Sequence, residues 1–198
     1  MSGKATEPRL RITGGTWRGK RLRVPSGLHL RPTQGKVREA LFSRLQAWIP
    51  EARVIDLFAG SGGLGLEALS RGAVAVVFVE RDGEALRALR ANIAALGVEA
   101  RCRVIAGDVF AFLRGELGAA AKADLVLADP PYGRLAAELA GALDHAAAIE
   151  WSREAIRAIE CGTIDPDWTT SAGWRRFPER SYGKTRLVVE QRCLEGKE

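Results

Sequence analysis

The stretch LADPPYG, residues 127–133, places an acid, two prolines and an aromatic ring directly after an apolar run. The second proline, Pro131, restricts Pro130 to an extended backbone, so the loop after the run is stiff. Such a loop would present the Asp129 carboxylate and the Pro130 carbonyl as two hydrogen-bond acceptors, and Tyr132 would offer a ring face for stacking a planar base. These residue types in this order predict chemistry at the amino group of a nucleobase.

A glycine-rich loop, DLFAGSGGLG, lies between a predicted strand and a predicted helix. Gly60, Gly62 and Gly65 follow the GxGxxG spacing, which lets the backbone approach a nucleotide-type cofactor closely. Glu80 comes 20 residues after Gly60, at the end of the next predicted strand, where an acid can accept hydrogen bonds from both hydroxyls of a ribose. This pattern by itself also suits a nicotinamide dinucleotide.

Two further acids distinguish between the cofactors. Asp56 lies four residues before Gly60, close to where the pyrophosphate of a dinucleotide would sit, so charge repulsion argues against NAD and favours a cofactor carrying a sulfonium and an ammonium group. Asp108 ends the third predicted strand and could accept a hydrogen bond from an adenine amino group, with Val109 or Phe110 covering the ring. Each acid taken singly could instead cap a helix, but the set favours S-adenosylmethionine.

These residues need a frame that brings several strand ends together. From Arg53 onward, apolar strands alternate with helical stretches, which predicts an α/β fold with a doubly wound parallel sheet. EAIRAIEC, residues 154–161, predicts a fifth buried strand, and GWRRFPERSYG and TRLVVEQRC predict two strands joined by a tight turn. GAAAKA, residues 118–123, is expected to be a loop, and Thr33 is the expected N-cap of a helix that precedes the sheet.

Positive charge is concentrated near the start of the chain. Of the total net charge of +6, residues 1–50 carry +9, which leaves −3 for residues 51–198. LRITGGTWRGKRLRVP, within this basic region, predicts a β-hairpin. A basic arm on a mildly acidic body is typical of proteins that bind a polyanion, although a solubilising tail has the same composition.

Composition also limits the other functions that the chain can have. No apolar run is long enough to cross a bilayer, and the first residues lack the apolar core of a signal peptide, so a cytoplasmic protein is expected. Cys102, Cys161 and Cys193 are widely separated and form no CxxC pair, which supports neither a disulfide framework nor a zinc site.

Several motifs together resemble one family. DPPY matches the [DNS]PP[YFW] motif of amino-methyltransferases, and VIDLFAGSGGLGLEALSRGA looks like motif I of class I methyltransferases. With RITGGTWRGKRL, LRPTQGKVREALF and RSYGKTRL, the sequence resembles, over most of its length, the bacterial 16S rRNA guanine-N2 methyltransferases of the small ribosomal subunit. One departure is QGK, residues 34–36, where many relatives carry an aspartate.

The resemblance implies a class I methyltransferase domain over residues 35–198, with a mostly parallel seven-stranded sheet that includes an antiparallel C-terminal strand. Residues 1–34 would form a basic hairpin extension. The implied partner is 16S rRNA or the 30S subunit, and a monomer is expected. The residues implied for S-adenosylmethionine are Asp56, Gly60, Gly62, Glu80, Asp108 and Val109, and those implied for the target base are Asp129, Pro130, Pro131 and Tyr132.

The basic hairpin is expected to hold RNA phosphates. The expected RNA contacts are Arg11, Trp17, Arg18, Lys20, Arg21, Arg23, Arg31 and Arg38. A second basic cluster, residues 175–186, either extends this surface or is only a solvated hairpin face.

Three other functions remain open from the sequence. An adenine-N6 methyltransferase acting on DNA or RNA shares the DPPY motif, but little chain remains here for a domain that reads DNA sequence. An NAD-dependent oxidoreductase explains the glycine loop but leaves Asp56 and the two prolines unexplained. A non-enzymatic RNA-binding module explains the basic arm alone.

Overall fold

A computed structural model of the chain describes residues 10–25, 32–131, 135–163, 165 and 168–193. The centre of this described part is one sheet of eight strands: β1 (Arg53–Leu57), β2 (Ala75–Glu80), β3 (Cys102–Ala106), β4 (Ala121–Ala128), β5 (Ile149–Gly162), β6 (Trp174–Arg176), β7 (Arg180–Tyr182) and β8 (Thr185–Arg192). Their order in the sheet is β3-β2-β1-β4-β5-β8-β6, with β7 also paired to β8.

The first five strands run parallel to one another, and β8 runs antiparallel to β5. The predicted doubly wound sheet with an antiparallel C-terminal strand is therefore confirmed. The strand count is eight and not seven because β6 and β7 pair with successive halves of β8, and Pro178 lies in the interruption between them. A proline has no N–H to donate to a ladder, so it breaks this edge into two short strands.

The described part of the chain has five α-helices: α1 (Pro32–Leu45), which precedes β1, and α2 (Gly63–Ser70), α3 (Gly83–Leu96), α4 (Val109–Leu113) and α5 (Leu135–Asp144), which connect strands. A short 3-10 turn, Glu99–Arg101, precedes β3. The Asp82 side chain caps α3 by accepting from the Ala85 N–H, and Gly97 ends this helix with a φ of 67°. Since α1 begins at Pro32, the expectation that Thr33 is its N-cap is corrected: Thr33 lies in the first turn.

Two other boundaries differ from expectation. β4 begins at Ala121, so the second half of GAAAKA is strand and not loop, and β5 begins at Ile149, before the predicted stretch. Ala121 pairs with Ile149 in the parallel register of these two strands. Strand pairing therefore extends both elements beyond what their own apolar pattern predicts.

The core lies on both faces of the sheet. One buried cluster joins α1, α2 and α3 to the sheet through residues such as Phe42, Leu66 and Leu89, and the other joins α4 and α5 to it through Phe112 and Leu143. Consecutive residues of β1 point to opposite faces, as a strand requires. Helices on both faces leave the ends of the parallel strands free to form a site.

The segment 10–25 packs into the first of these clusters. Leu10, Ile12 and Leu22 are buried there, and the two halves of the segment pair at one antiparallel bridge between Arg11 and Arg21. The segment thus has the antiparallel course of a hairpin without regular strands. It shares its core with the domain that was expected to begin at residue 35.

No helix in the described part of the chain is long and apolar enough to cross a membrane. Cys102, Cys161 and Cys193 are free thiols.

Candidate active site

A crevice lies at the carboxyl ends of β1, β4 and β5. The chain adds β2 and β3 on one side of β1 and then returns to add β4 and β5 on the other side. Open α/β sheets bind ligands at such a switch point. A cavity of about 140 Å³ in the crevice is lined by the loop 58–64 and by three carboxyl groups. These acids are Asp56, Asp129 and Glu160, and Leu10 and Arg38 cover them from the N-terminal side.

The glycine loop is held in a fixed shape between β1 and α2. Gly60 and Gly62 have φ values of 55° and 88°, which glycine adopts without steric cost. A Cβ on Gly60 would meet no atom within 4 Å, so its α-carbon borders open space. At Gly65 a Cβ would lie 2.3 Å from the Phe78 ring, so this glycine allows α2 to pack closely on β2.

Asp56 is almost completely buried below this loop. One of its carboxylate oxygens accepts the Gly65 N–H at 2.8 Å, and the residue also lines the cavity. Burial raises the pKa of this carboxyl well above its usual range, the Gly65 hydrogen bond opposes the shift, and the charges of Asp129 and Glu80 add to it. The group would be stabilised in its ionised form by a cation in the cavity.

Glu80 joins two loops beside the crevice. One of its oxygens accepts the Gly60 N–H at 2.7 Å, and the other accepts the N–H groups of Arg81 and Asp82 at 2.8 Å each. Glu80 therefore fixes the glycine loop against the turn after β2. The expected contact of Glu80 with a ribose stays a prediction.

Asp108 caps α4, as the alternative reading of this acid anticipated. One oxygen accepts from the N–H groups of Phe110 and Ala111 at 3.0 and 3.1 Å, and the other pairs with Arg81 at 3.3 Å. Val109 is buried in the core, whereas the Phe110 ring packs edge-on against Phe58 of the glycine loop, with 6.3 Å between ring centroids. Phe110 is thus nearer to the crevice than Val109.

The DPPY motif follows β4 directly. Asp129 lies at the mouth of the crevice, Pro130 is buried and Pro131 is exposed, while Tyr132 lies outside the described residues. Asp129 is exposed as a whole residue but lines the cavity, and desolvation of its carboxyl group raises its pKa to about 6 against the opposing effect of Arg38.

Arg38 has a different position from the one expected. Only 7% of the residue is exposed, and Arg38 lines the cavity and not the outer surface, so its expected contact with RNA stays a prediction. Its guanidinium donates to the main-chain carbonyl of Arg11 and lies 3.6 Å from the Glu67 carboxylate. Arg38 thereby brings one positive charge to a crevice that is otherwise acidic.

Glu160 also belongs to the crevice, although no motif in the sequence pointed to it. It follows Ile159, which pairs with Ala128, so Glu160 on β5 lies beside Asp129 at the end of β4. Burial and the Asp129 charge raise its pKa to about 8, and Arg38 opposes the shift. The only signal in the sequence was an acid within the apolar stretch AIRAIEC.

The cations of the segment 10–25 face solvent. Those exposed are Arg11, Arg18, Lys20, Arg21 and Arg23. Trp17 is half-buried, and its main-chain N–H donates to the Ser70 hydroxyl, so this tryptophan is fixed against α2. Arg31 lies outside the described residues.

In the second basic cluster, residues 175–186, Arg176 pairs with Glu179 and Glu190, whereas Arg175, Arg180 and Lys184 are exposed.

Comparisons with known proteins identify the family. The family model described as "Conserved hypothetical protein 95" matches residues 10–191. The chain belongs to this family. It is 35% identical to "Ribosomal RNA small subunit methyltransferase D" of Escherichia coli over 188 residues, which cover 94% of this chain and 92% of that protein.

Comparison with solved structures supports the same family. The chain matches "Putative methyltransferase yhhF" from Escherichia coli with a TM-score of 0.81 and 35% identity, over 94% of this chain and 99% of that one. It matches "putative methylase HI0767" from Haemophilus influenzae with a TM-score of 0.75 and 29% identity, over 94% of this chain and 100% of that one. The family expected from the motifs is confirmed, and the fold is that of a class I methyltransferase.

Proposed function

We propose that this protein transfers a methyl group from S-adenosylmethionine to the exocyclic N2 amino group of a guanine in 16S rRNA. One observation carries the proposal: the glycine loop and the Asp129-Pro130 loop open into one crevice, so a methyl donor and an amine acceptor would meet there. The name of the Escherichia coli relative supports ribosomal RNA of the small subunit as the substrate. The choice of N2 comes from the motif resemblance.

The residues of the crevice fit the cofactor. The buried Asp56 carboxyl suits a cationic ligand, and Gly60 leaves the open space that a close backbone approach requires. Because the enclosed volume of about 140 Å³ is below the usual range for ligand pockets, it would hold only part of the cofactor. The adenosine part would extend along the rim past Glu80 and Asp108. When bound, the sulfonium supplies an already activated methyl group.

Positioning of the amine is the main task of the chain in this mechanism. The lone pair of a guanine amino group is delocalised into the ring, so the nitrogen is a poor nucleophile until it becomes more tetrahedral. The Asp129 carboxylate and the Pro130 carbonyl would accept its two hydrogens and favour that geometry. Since the methylated amine is acidic, Asp129 or water can take the proton and no strong base is needed.

RNA binding would come from the exposed cations of the segment 10–25 and from Arg31. The target guanine must leave its surroundings to reach the crevice, as occurs in other enzymes that modify bases. Tyr132 would then provide the stacking surface. The substrate would be free 16S rRNA or a 30S particle, and the enzyme would act as a cytoplasmic monomer.

Transfer of a tritiated methyl group tests the proposal. The purified protein is incubated with labelled S-adenosylmethionine and with 16S rRNA or 30S particles from cells that lack the enzyme, and the product nucleoside is identified by mass spectrometry. N2-methylguanosine is the expected product. N6-methyladenosine would replace the proposal with the adenine alternative, and the absence of both transfer and calorimetric cofactor binding would indicate a non-enzymatic RNA-binding protein.

A further inference from the structure

Glu160 has a position in the crevice that the mechanism above leaves without a role. It lies near the end of β5, directly beside Asp129, it lines the same cavity, and only 7% of it is exposed. Within the described part of the chain no hydrogen bond reaches its carboxyl group. Its oxygens are not fully enclosed by protein, and the residue lines the cavity, so this carboxyl group is a candidate for contact with a ligand there.

The surroundings of Glu160 keep its proton in place at neutral pH. Arg38 from α1 and Asp129 after β4 are the charged groups that act on it, Asp56 from β1 lines the same cavity, and its register partner on β8 is the uncharged Leu187. Burial raises the pKa of Glu160 to about 8 and that of Asp129 to about 6, so near neutral pH the pair holds one proton. Glu160 is buried whereas Asp129 is exposed as a residue, so the uncharged form is favoured at Glu160. The two neighbouring acids therefore offer different hydrogen-bonding groups.

We propose that Glu160 recognises the target guanine by pairing with its O6 and N1–H, and thereby selects guanine over adenine. This inference rests on the proposed function, in which Asp129 and Pro130 hold the N2 amino group. N1–H and O6 follow N2 along the same edge of the base, so the side chain next to Asp129 is the one that faces them.

The chemistry of a neutral carboxyl fits this edge of the base. The carboxyl donates its O–H to O6 and accepts the N1–H with its carbonyl oxygen, which gives two hydrogen bonds. An adenine held by its N6 amino group would present N1 and C2–H at the same place, and only the first of these can form a strong hydrogen bond. Adenine would leave one polar atom of Glu160 unpaired in a buried site, and this is the kind of mismatch by which polar sites reject analogues.

Two substitutions at residue 160 and one control test this role. Glu160→Gln keeps the hydrogen-bonding pattern of the protonated glutamate, because the amide N–H donates to O6 and the amide carbonyl accepts from N1–H. Glu160→Ala removes both contacts. Glu154→Gln is the control, since Glu154 is an exposed acid on the same strand. For each protein, kcat/KM for methylation of 16S rRNA is measured across the neutral and alkaline range, and cofactor affinity is measured by calorimetry.

The expected pH profiles are specific to recognition by a neutral acid. The wild-type kcat/KM should fall above about pH 8, as Glu160 loses its proton and repels O6. Glu160→Gln should keep most of the activity at pH 7 and lose that alkaline decline. Glu160→Ala should lower kcat/KM at least about tenfold with little change in cofactor affinity, because two base atoms lose their partners. The control should follow the wild type.

Other results would overturn the inference. A Glu160→Ala protein within about twofold of the wild type would exclude a base contact, and so would a Glu160→Gln protein that keeps the wild-type alkaline decline. If Glu160→Ala does not fold, the profile of Glu160→Gln decides. Mass spectrometry separates the two proposals: N6-methyladenosine contradicts the proposed function, whereas N2-methylguanosine with no effect at residue 160 contradicts only the role of Glu160.

Discussion

Thr13 and Glu67 lie 54 positions apart in the chain and are joined by two hydrogen bonds. The Thr13 N–H donates to one carboxylate oxygen of Glu67 at 2.7 Å, and the Thr13 hydroxyl donates to the other at 2.8 Å. The same carboxylate accepts the Gly14 N–H and the Arg71 guanidinium at 2.8 Å each, and Arg38 lies nearby. Glu67 on α2 thus binds the basic N-terminal segment to the helix that follows the glycine loop.

Removal of the Glu67 carboxylate should be strongly destabilising. Glu67→Ala leaves the buried Arg38 and several N–H donors without their partner, so the free energy of unfolding should fall by about 3–5 kcal/mol in urea denaturation. Glu84→Ala is the control, because Glu84 forms only an exposed pair with Arg87 and should change stability by less than about 1 kcal/mol. Equal effects of the two substitutions would show that Glu67 does not anchor the segment.

Gly60 of the glycine loop and Gly65 of α2 should have different effects when changed to alanine. At Gly65 the added Cβ would lie 2.3 Å from Phe78, so Gly65→Ala should lower stability by about 1–3 kcal/mol through overpacking. At Gly60 the Cβ meets nothing, and only a strain of about 1 kcal/mol from its φ of 55° is expected. Gly60 lines the cavity, so Gly60→Ala should mainly weaken calorimetric binding of S-adenosylmethionine. A Gly60→Ala protein with unchanged affinity would argue against a close cofactor approach at this loop.

The sequence was sufficient for the frame of the site. Alternating strands and helices predicted the parallel sheet, and the carboxyl ends of parallel strands necessarily meet at one edge. Asp56, Gly60 and Asp129 were therefore expected in one crevice, and the structure brings them together there. Local periodicity and the rules of strand connection are enough for this level of prediction.

The sequence was not sufficient for contacts that depend on long-range packing. Arg38 had the pattern of a solvated helix face, because periodicity reports which face of α1 is apolar but not that the segment 10–25 covers part of the polar face. The role of Glu160 could not be predicted for a similar reason. Its place beside Asp129 follows from the pairing of β4 and β5, which the apolar pattern of β5 does not report. Both residues line the cavity through contacts between distant parts of the chain.

Binding of RNA should depend on salt through the exposed cations of the N-terminal segment. Each single change of Arg18, Lys20, Arg21 or Arg23 to alanine should reduce the slope of log K against log salt by about 0.7–1, if that side chain contacts a phosphate. Filter binding to 16S rRNA over a range of salt concentrations measures the slope. Lys122→Ala is a suitable control, because Lys122 is exposed at the start of β4 and pairs with Glu150. Salt-insensitive binding of the wild type would contradict the role of the basic segment.

Asp129 should be needed for turnover and not for cofactor binding. Asp129→Ala removes an acceptor that acts on the amine in the transition state, so kcat should fall at least about a hundredfold while cofactor affinity stays nearly unchanged. In the wild type, kcat/KM should also fall below about pH 6, since protonation of Asp129 removes the charged acceptor. Glu116→Ala, at an exposed acid paired with Arg114, is the matched control. A variant that methylates at a near wild-type rate would show that the assignment of Asp129 is wrong.

Binding of S-adenosylmethionine should release protons. Burial raises the pKa of Asp56 well above its usual range, so the free protein favours the protonated form of this carboxyl more than an exposed aspartate would. A cationic sulfonium and ammonium beside Asp56 favour its ionised form, lower this pKa and displace protons to the solvent. Calorimetric titrations in buffers with different enthalpies of ionisation measure the number released. S-adenosylhomocysteine has the same ammonium group but no sulfonium charge, so it should release fewer protons. Equal release by the two ligands would mean that the sulfonium does not lie close to Asp56.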